Sequence, residues 1–198
     1  MQLQGQEGED QGAVNAAWAP VVVGLVAQLS AHAVVWCQLQ QSSSMICQLA
    51  LNTLVAAEAF LLSSTHDVLS TAAGALVVAV TQCVHMVLHL PAEVPVSMIN
   101  APIGAACRVF AALAQHKDAS RQTPLLLSIL LDLVGNTSYS IPKERLESLE
   151  PGMFALVDKC AGPKESKQAL APLGEGARAV HAELHEKYVR EYKFKGRV

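Results

Sequence analysis

The chain alternates long apolar stretches with short segments that contain proline, glycine or clustered polar residues. The apolar stretches have the length of helices and are rich in Ala, Leu, Gln and Met, which favour helix. Apolar and polar residues do not alternate with the period of two that a half-buried strand requires. We therefore predict an all-α protein. The predicted helices span about residues 14–40, 44–63, 67–90, 98–116, 123–135, 142–149, 151–161 and 175–194.

Proline marks several of the predicted helix ends. Pro91 and Pro95 should end the helix that starts near residue 67, because proline cannot donate the backbone hydrogen bond of a helix interior. Thr123 before Pro124 has the order of an N-cap followed by the favoured first-turn proline. Short connections place consecutive helices side by side and antiparallel. The expected architecture is an irregular antiparallel bundle, or an armadillo- or HEAT-like stack, of about eight helices.

The apolar composition raises the alternative of an integral membrane protein. Residues 19–39 and 69–90 lie in stretches without Asp, Glu, Lys or Arg, and each is long enough to span a bilayer. The second segment contains polar side chains, among them His85 and His89, that would need partners in hydrocarbon. No Lys or Arg flanks either segment to set its orientation. Buried helices of a helix-on-helix domain are therefore favoured over membrane spans.

Charge is distributed unevenly along the chain. Residues 1–107 carry six acidic side chains and no Lys or Arg, whereas residues 108–198 carry fourteen cations and eleven acids. Neither half is charged strongly enough to indicate nucleic-acid binding by its field alone. Residues 1–12 are polar and acidic, which predicts a disordered leader or the start of a fragment. We expect residues 13–198 to form one helical domain.

The charged C-terminal segment "LHEKYVREYKFKGRV" combines an apolar stripe with a polar face. The stripe recurs at helical spacing and should anchor the last helix in the core. Two i,i+4 pairs, Glu183 with Lys187 and Glu186 with Arg190, should stabilise the opposite face. The anchoring residues are Leu173, Ala177, Val180, Leu184, Tyr188 and Tyr192. The exposed residues that we expect to contact a partner or RNA are Lys187, Arg190, Lys193, Lys195 and Arg197.

Candidate catalytic chemistry is sparse. His181 and His185 in "HAELH" are one helical turn apart and could hold a metal. A metal-dependent hydrolase is therefore a further alternative. A third ligand is missing from the motif. The five cysteines form no CxxC pair, and the sequence lacks a nucleophile elbow, a Walker loop or a dinucleotide fingerprint. "GPKESK" reads as a loop. We predict a protein that is not an enzyme and has no catalytic residues, cofactor or metal site.

Residues 123–198 resemble the end of a known C-terminal domain. The similarity is carried by an apolar helix with "LLLSILLDL", then "LEPGMFALVDKC", then "LHEKYVREYKFKG" just before the terminus. This domain belongs to the nucleolar pre-ribosomal RNA processing family called unhealthy ribosome biogenesis protein two, or nucleolar preribosomal-associated protein two.

The resemblance implies an α-helical domain of a long helical-repeat scaffold protein without catalytic residues. It also implies a nucleolar role in processing of precursor ribosomal RNA and in early assembly of the large ribosomal subunit. The implied partners are ribosome-assembly proteins, including a DEAD-box helicase, with an accessory contact to precursor ribosomal RNA and no membrane. The function expected from the sequence is therefore protein–protein interaction in ribosome biogenesis.

Overall fold

A computed structural model describes residues 43–64, 66–136 and 141–193 of the protein. These residues form helices and no strands, which confirms the all-α prediction. The helix predicted at residues 14–40 lies outside the described residues. The seven α-helices of the described part are α1 (Ser43–Ser63), α2 (His66–Leu88), α3 (Val96–Gln115), α4 (Thr123–Gly135), α5 (Lys143–Lys159), α6 (Pro163–Leu170) and α7 (Glu175–Lys187).

Three local predictions are wrong. The two helices expected at 142–149 and 151–161 are the single helix α5, which continues through Pro151. Pro151 is exposed, and the residues on both sides of it pack into the core, so tertiary packing outweighs one missing hydrogen bond. The expected loop "GPKESK" includes the start of α6, because Pro163 is well suited to the first helical turn.

The third error concerns the start of α4. Thr123 is itself helical, at φ −57° and ψ −44°, because a short 3₁₀ turn, Ala119–Gln122, leads directly into the helix. Its hydroxyl oxygen is buried and has no hydrogen-bond partner among the described residues. Thr123 is therefore not an N-cap, since an N-cap residue has non-helical backbone angles and accepts a hydrogen bond from the first turn.

Helix α3 lies at the centre of the packing. It contacts α1 on one side and α5 on another, while α2 packs against α1 and α4 packs against α6 and α7. Its buried side, which includes Ile99, Val109, Phe110 and Leu113, is continuous with the core of the neighbouring helices. By length and composition alone α1 and α3 could each cross a membrane. The contacts of α3 with α1 and α5 account for its apolar sequence within the fold.

Two close helix contacts depend on glycine. A Cβ atom at Gly152 of α5 would lie 2.8 Å from the Cα atom of Cys107 and 2.9 Å from the ring of Phe110 on α3. A Cβ atom at Gly135 of α4 would lie 2.6 Å from the backbone of Ala177 on α7. Because real Cβ atoms cannot approach so closely, these glycines set how near α5 lies to α3 and how near α7 lies to α4.

A buried arginine joins the start of α5 to the end of α2. The guanidinium of Arg145 donates hydrogen bonds to the carbonyl oxygens of Leu88, at 3.1 Å, and Pro91, at 2.7 Å, and also to that of Leu90. These carbonyls have no helical partner because α2 ends at Leu88. A cation at the C-terminal end of a helix is also favoured by the helix dipole. Arg145 thereby holds the chain around the end of α2 against α5.

Candidate interaction surface at the last helix

The last helix is positioned by one apolar edge. Leu173, Ala177, Leu184 and Tyr188 are buried, and Val180 is half-buried against the core. The anchoring stripe expected from the sequence therefore lies against the preceding helices over most of its length. Beyond Lys187 the helix widens into one π-helical turn, Tyr188–Tyr192, closed by a hydrogen bond of 3.0 Å from the Lys193 amide to the Tyr188 carbonyl.

An aromatic cluster attaches this turn to α5. The ring of Phe154 lies 6.2 Å from that of Tyr188 and 5.7 Å from that of Tyr192, measured between centroids. The Tyr188 hydroxyl donates a hydrogen bond to the carboxylate of Asp158. Tyr192, expected among the buried anchors, is 42% exposed and covers the outside of the cluster. Tyr188 is therefore the deeper of the two tyrosine anchors.

Lys187 is held within the protein, contrary to the expectation that it is exposed. Its ammonium group lies 2.6 Å from Glu150 of α5 and 3.5 Å from Glu183 of α7, and its side chain is 26% exposed. The hydrogen bond to Glu150 raises the pKa of Lys187, and the charges of both glutamates act in the same direction. The ion pair with Glu183 follows the expected spacing, whereas Glu150 is distant in sequence. Lys187 therefore joins α7 to α5.

Two of the expected contact residues that the structure describes, Arg190 and Lys193, are exposed to solvent. Arg190 forms an ion pair with the adjacent Glu191 at 3.0 Å, in place of the expected partner Glu186. A π-helical turn places more residues per turn than an α-helix, so residues four apart no longer align across it. Lys195 and Arg197 lie outside the described residues.

A cleft of about 330 Å³ lies beside the last helix, between α4, α5 and α7. The ion pair of Lys187 with Glu150 borders it, and Lys143 and Glu147 form another ion pair there at 3.5 Å. Its apolar lining is Val134, Leu146, Met153, Val180 and Leu184. An apolar cleft with a charged border suits the insertion of an apolar side chain from a partner helix.

Two pairs of histidines lie with their rings close together. The rings of His181 and His185 are 5.9 Å apart, and burial lowers the pKa of His181, with the charge of His185 adding to the effect. No group of three metal-ligating side chains occurs within the described ranges. His85 and His89 lie near the end of α2 with ring centroids 4.4 Å apart, and burial lowers the pKa of both.

The described cysteines are free thiols within or beside the core. Burial raises the pKa of Cys83 and of Cys160 to about 11. A thiol with so high a pKa is almost entirely protonated at neutral pH and is a poor nucleophile or metal ligand. Both side chains pack as small apolar residues.

Comparison with protein families gave a match that spans all of the described helices. A model of the Urb2/Npa2 family matches residues 29–197 of the chain. Comparisons with curated proteins and with solved structures gave no match. The family match confirms the resemblance seen in the sequence and extends it toward the N-terminus. It includes the cleft and the last helix.

Proposed function

The chain belongs to the Urb2/Npa2 family, which indicates a role in ribosome biogenesis, and we propose that it acts as a non-enzymatic helical scaffold. In this role it works in the nucleolus, in precursor ribosomal RNA processing and early assembly of the large subunit. The observation that carries the proposal is the family match over residues 29–197. The packed helices support it, because helices held by a shared core offer surfaces for partners with little cost of ordering.

The partner in this proposal is a protein of the early large-subunit assembly complex, which includes a DEAD-box helicase. The docking element is the solvent side of α7 and of the π-helical turn, together with the adjoining cleft. Arg190, which is paired with the adjacent Glu191, and Lys193 present their cationic groups to solvent there, whereas Lys187 is held between Glu150 and Glu183. An apolar partner side chain enters the cleft, and acidic groups of the partner or RNA phosphates contact the exposed cations.

Affinity purification of the full-length chain from cells at moderate salt tests this function. We expect recovery of early large-subunit assembly proteins together with precursor ribosomal RNA. Nuclease treatment before elution separates a direct protein contact, which survives it, from a contact through RNA. Recovery of neither assembly proteins nor precursor RNA would refute the proposed function.

Charge reversal tests the docking element separately. Arg190→Glu combined with Lys193→Glu should reduce the recovery of assembly proteins, because it reverses the charge that faces the partner. Arg178→Glu is the matched control, since Arg178 is exposed near the opposite end of α7. Equal recovery with the double variant and the control would exclude the π-helical turn as the docking element. Unchanged unfolding midpoints would show that both variants keep the fold.

A second candidate function, as an integral membrane protein, is favoured by the length and apolar character of α1 and α3. Carbonate extraction of cell membranes distinguishes it from the scaffold. A scaffold is released to the supernatant, whereas a membrane-spanning protein stays in the pellet.

A further inference from the structure

The cleft beside the last helix is bounded at both ends by contacts of α7. At one end α4 and α7 meet backbone to backbone, since a Cβ atom at Gly176 would lie 2.7 Å from the carbonyl oxygen of Gly135. At the other end the ammonium group of Lys187 lies 2.6 Å from Glu150 of α5. The walls cannot separate without breaking one of these contacts. The cleft is therefore formed before a partner arrives, which lowers the cost of binding.

The walls between these two ends are apolar and partly uncovered. Met153 of α5 and Leu184 of α7 line the cleft and are buried. Val134, Leu146 and Val180 also line it and are only half-buried. Half-buried apolar side chains in a concave surface keep apolar area in contact with water, and covering that area is favourable. The walls therefore fit apolar side chains of a partner.

The length of the cleft indicates how a partner lies in it. Along α7 the lining extends from Val180 to Lys187, which is about 10 Å, or about two turns, at 1.5 Å per residue. A helix that docks in a groove presents its apolar side chains three or four residues apart. Two such side chains from consecutive turns match this length.

The charges at the border indicate what accompanies the apolar side chains. Of the described residues that line the cleft, three carry carboxylates and two carry ammonium groups. Lys187 lies closer to Glu150 than to Glu183, which is 3.5 Å away and whose side chain is 72% exposed. Lys143 and Glu147 form an exposed pair at 3.5 Å, and such surface pairs contribute little free energy. The border therefore has one carboxylate in excess, and Glu183 is open to a cation of a partner.

We propose that the cleft binds an amphipathic α-helix of a protein partner, which inserts two bulky apolar side chains from consecutive turns and pairs a nearby Lys or Arg with Glu183. It rests on the proposed function, because the partner docks at the same surface. The basic group lies toward Glu183, and acidic groups lie toward Arg190 and Lys193 at the π-helical turn. A helix with this order of charges binds in one direction along α7, because the reverse orientation brings like charges together.

Selection of peptides on the full-length chain tests the chemistry of the partner without knowledge of its identity. The library consists of random peptides of about 16 residues, which is enough for four helical turns. We expect the enriched peptides to carry two bulky apolar residues three or four positions apart and a Lys or Arg within one turn of them. Fluorescence anisotropy with labelled copies of these peptides then measures their affinity for variants of the chain.

Glu183→Lys tests the charge requirement. It should weaken binding of the enriched peptides about tenfold, because it replaces an attraction with a repulsion. Glu186→Lys is the matched control, since Glu186 is exposed on the same helix and is not part of the lining. It should change the affinity by less than about twofold.

Val180→Phe tests the apolar walls. The larger side chain fills part of the cleft, so the enriched peptides should bind about tenfold more weakly. Ala179→Phe is its matched control, because Ala179 is exposed on α7 and is not part of the lining. Circular dichroism shows whether both variants keep their helix content. If Val180→Phe loses it, the comparison of Glu183→Lys with Glu186→Lys decides.

Four results would overturn the proposal. The first is a selection that enriches no peptide. The second is enriched peptides without a basic residue, or with equal affinity for the Glu183 and Glu186 variants. The third is equal affinity for the folded Val180 and Ala179 variants, which would place the peptides elsewhere. The fourth is a dimer of the unmodified chain that Val180→Phe dissociates in sedimentation, which would assign the cleft to a second copy.

The selection uses the purified chain and needs no ribosome-assembly protein. Its failure is therefore distinct from failure of the proposed function, which would appear as an affinity purification without assembly proteins or precursor RNA.

Discussion

The glycine of the "PG" dipeptide in α5 allows a sharp test of the packing. Gly152 lies in the interior of α5, where alanine is intrinsically better for helix stability by about 1 kcal/mol. Helix propensity alone therefore predicts that Gly152→Ala stabilises the protein. The structure predicts the opposite sign, because the added methyl carbon would lie 2.8 Å from the Cα atom of Cys107.

The size of the stability loss depends on which atoms must move to relieve the clash. The nearest atom belongs to the backbone of α3, so the clash cannot be relieved by turning a side chain, and α3 and α5 must separate. Forcing an extra methyl group into a well-packed contact costs about 1–3 kcal/mol. Because the clash is with backbone, the cost should lie in the upper part of this range, at about 2–3 kcal/mol. After the propensity gain of about 1 kcal/mol is subtracted, we expect Gly152→Ala to lower the free energy of unfolding by about 1–2 kcal/mol. For a chain of this length the melting temperature should fall by about 2–8 °C.

Gly104→Ala is the matched control. Gly104 is also in the interior of a helix, α3, and a Cβ atom there meets nothing within 4 Å. The same substitution should therefore raise the free energy of unfolding by about 0.5–1 kcal/mol. Urea unfolding followed by circular dichroism measures both variants. If Gly152→Ala were as stable as Gly104→Ala, the close contact between α3 and α5 would be refuted.

Three further predictions concern the core and its polar groups. Arg145→Met should lower the free energy of unfolding by about 3 kcal/mol in urea, because the carbonyl oxygens of Leu88, Leu90 and Pro91 lose the guanidinium donor and the last of these keeps only the Val94 amide. The exposed Arg178→Met should change it by less than about 0.5 kcal/mol, and equal effects would contradict the buried role of Arg145. Tyr188→Phe removes one hydrogen bond while keeping the ring, so calorimetry should show a loss of about 1 kcal/mol, and an unchanged melting temperature would argue against that bond. Burial lowers the pKa of His85 and of His181 in the folded protein, so the unfolded chain binds protons at these two histidines more readily. The free energy of unfolding should therefore be constant above about pH 6.5 and should fall as the pH drops below it. Urea midpoints that stay constant from pH 7 to pH 5.5 would contradict this sign.

The helices themselves were largely predictable from sequence. Those at α1 to α4 begin and end within two residues of the predicted positions, because apolar runs and proline stops are local signals. The predictions at Pro151 and Pro163 were wrong because the effect of proline on a helix depends on where in the helix it lies. Proline disfavours a helix interior and favours a helix start, and only the surrounding packing decides between these outcomes. In α5 the buried residues on both sides of Pro151 keep one helix continuous.

The candidate surface was only partly predictable. The spacing of Leu184 and Tyr188 correctly places them on the buried edge of the last helix, since helical periodicity is a property of the local sequence. Nothing in the local pattern separates Lys187, which is held by Glu150, from Arg190, which faces solvent. Arg145 likewise carries no sequence signal of its burial, because its hydrogen-bond acceptors lie more than fifty residues earlier in the chain.

The sequence by itself determined that this protein is helical, where most of the described helices lie, and which family the chain resembles. These properties depend on residues a few positions apart, so they can be read along the chain. Only the tertiary structure decided which helices touch, why Gly152 must be glycine, and which lysine is neutralised. Those properties depend on atoms that are distant in sequence and that meet only after the helices have packed.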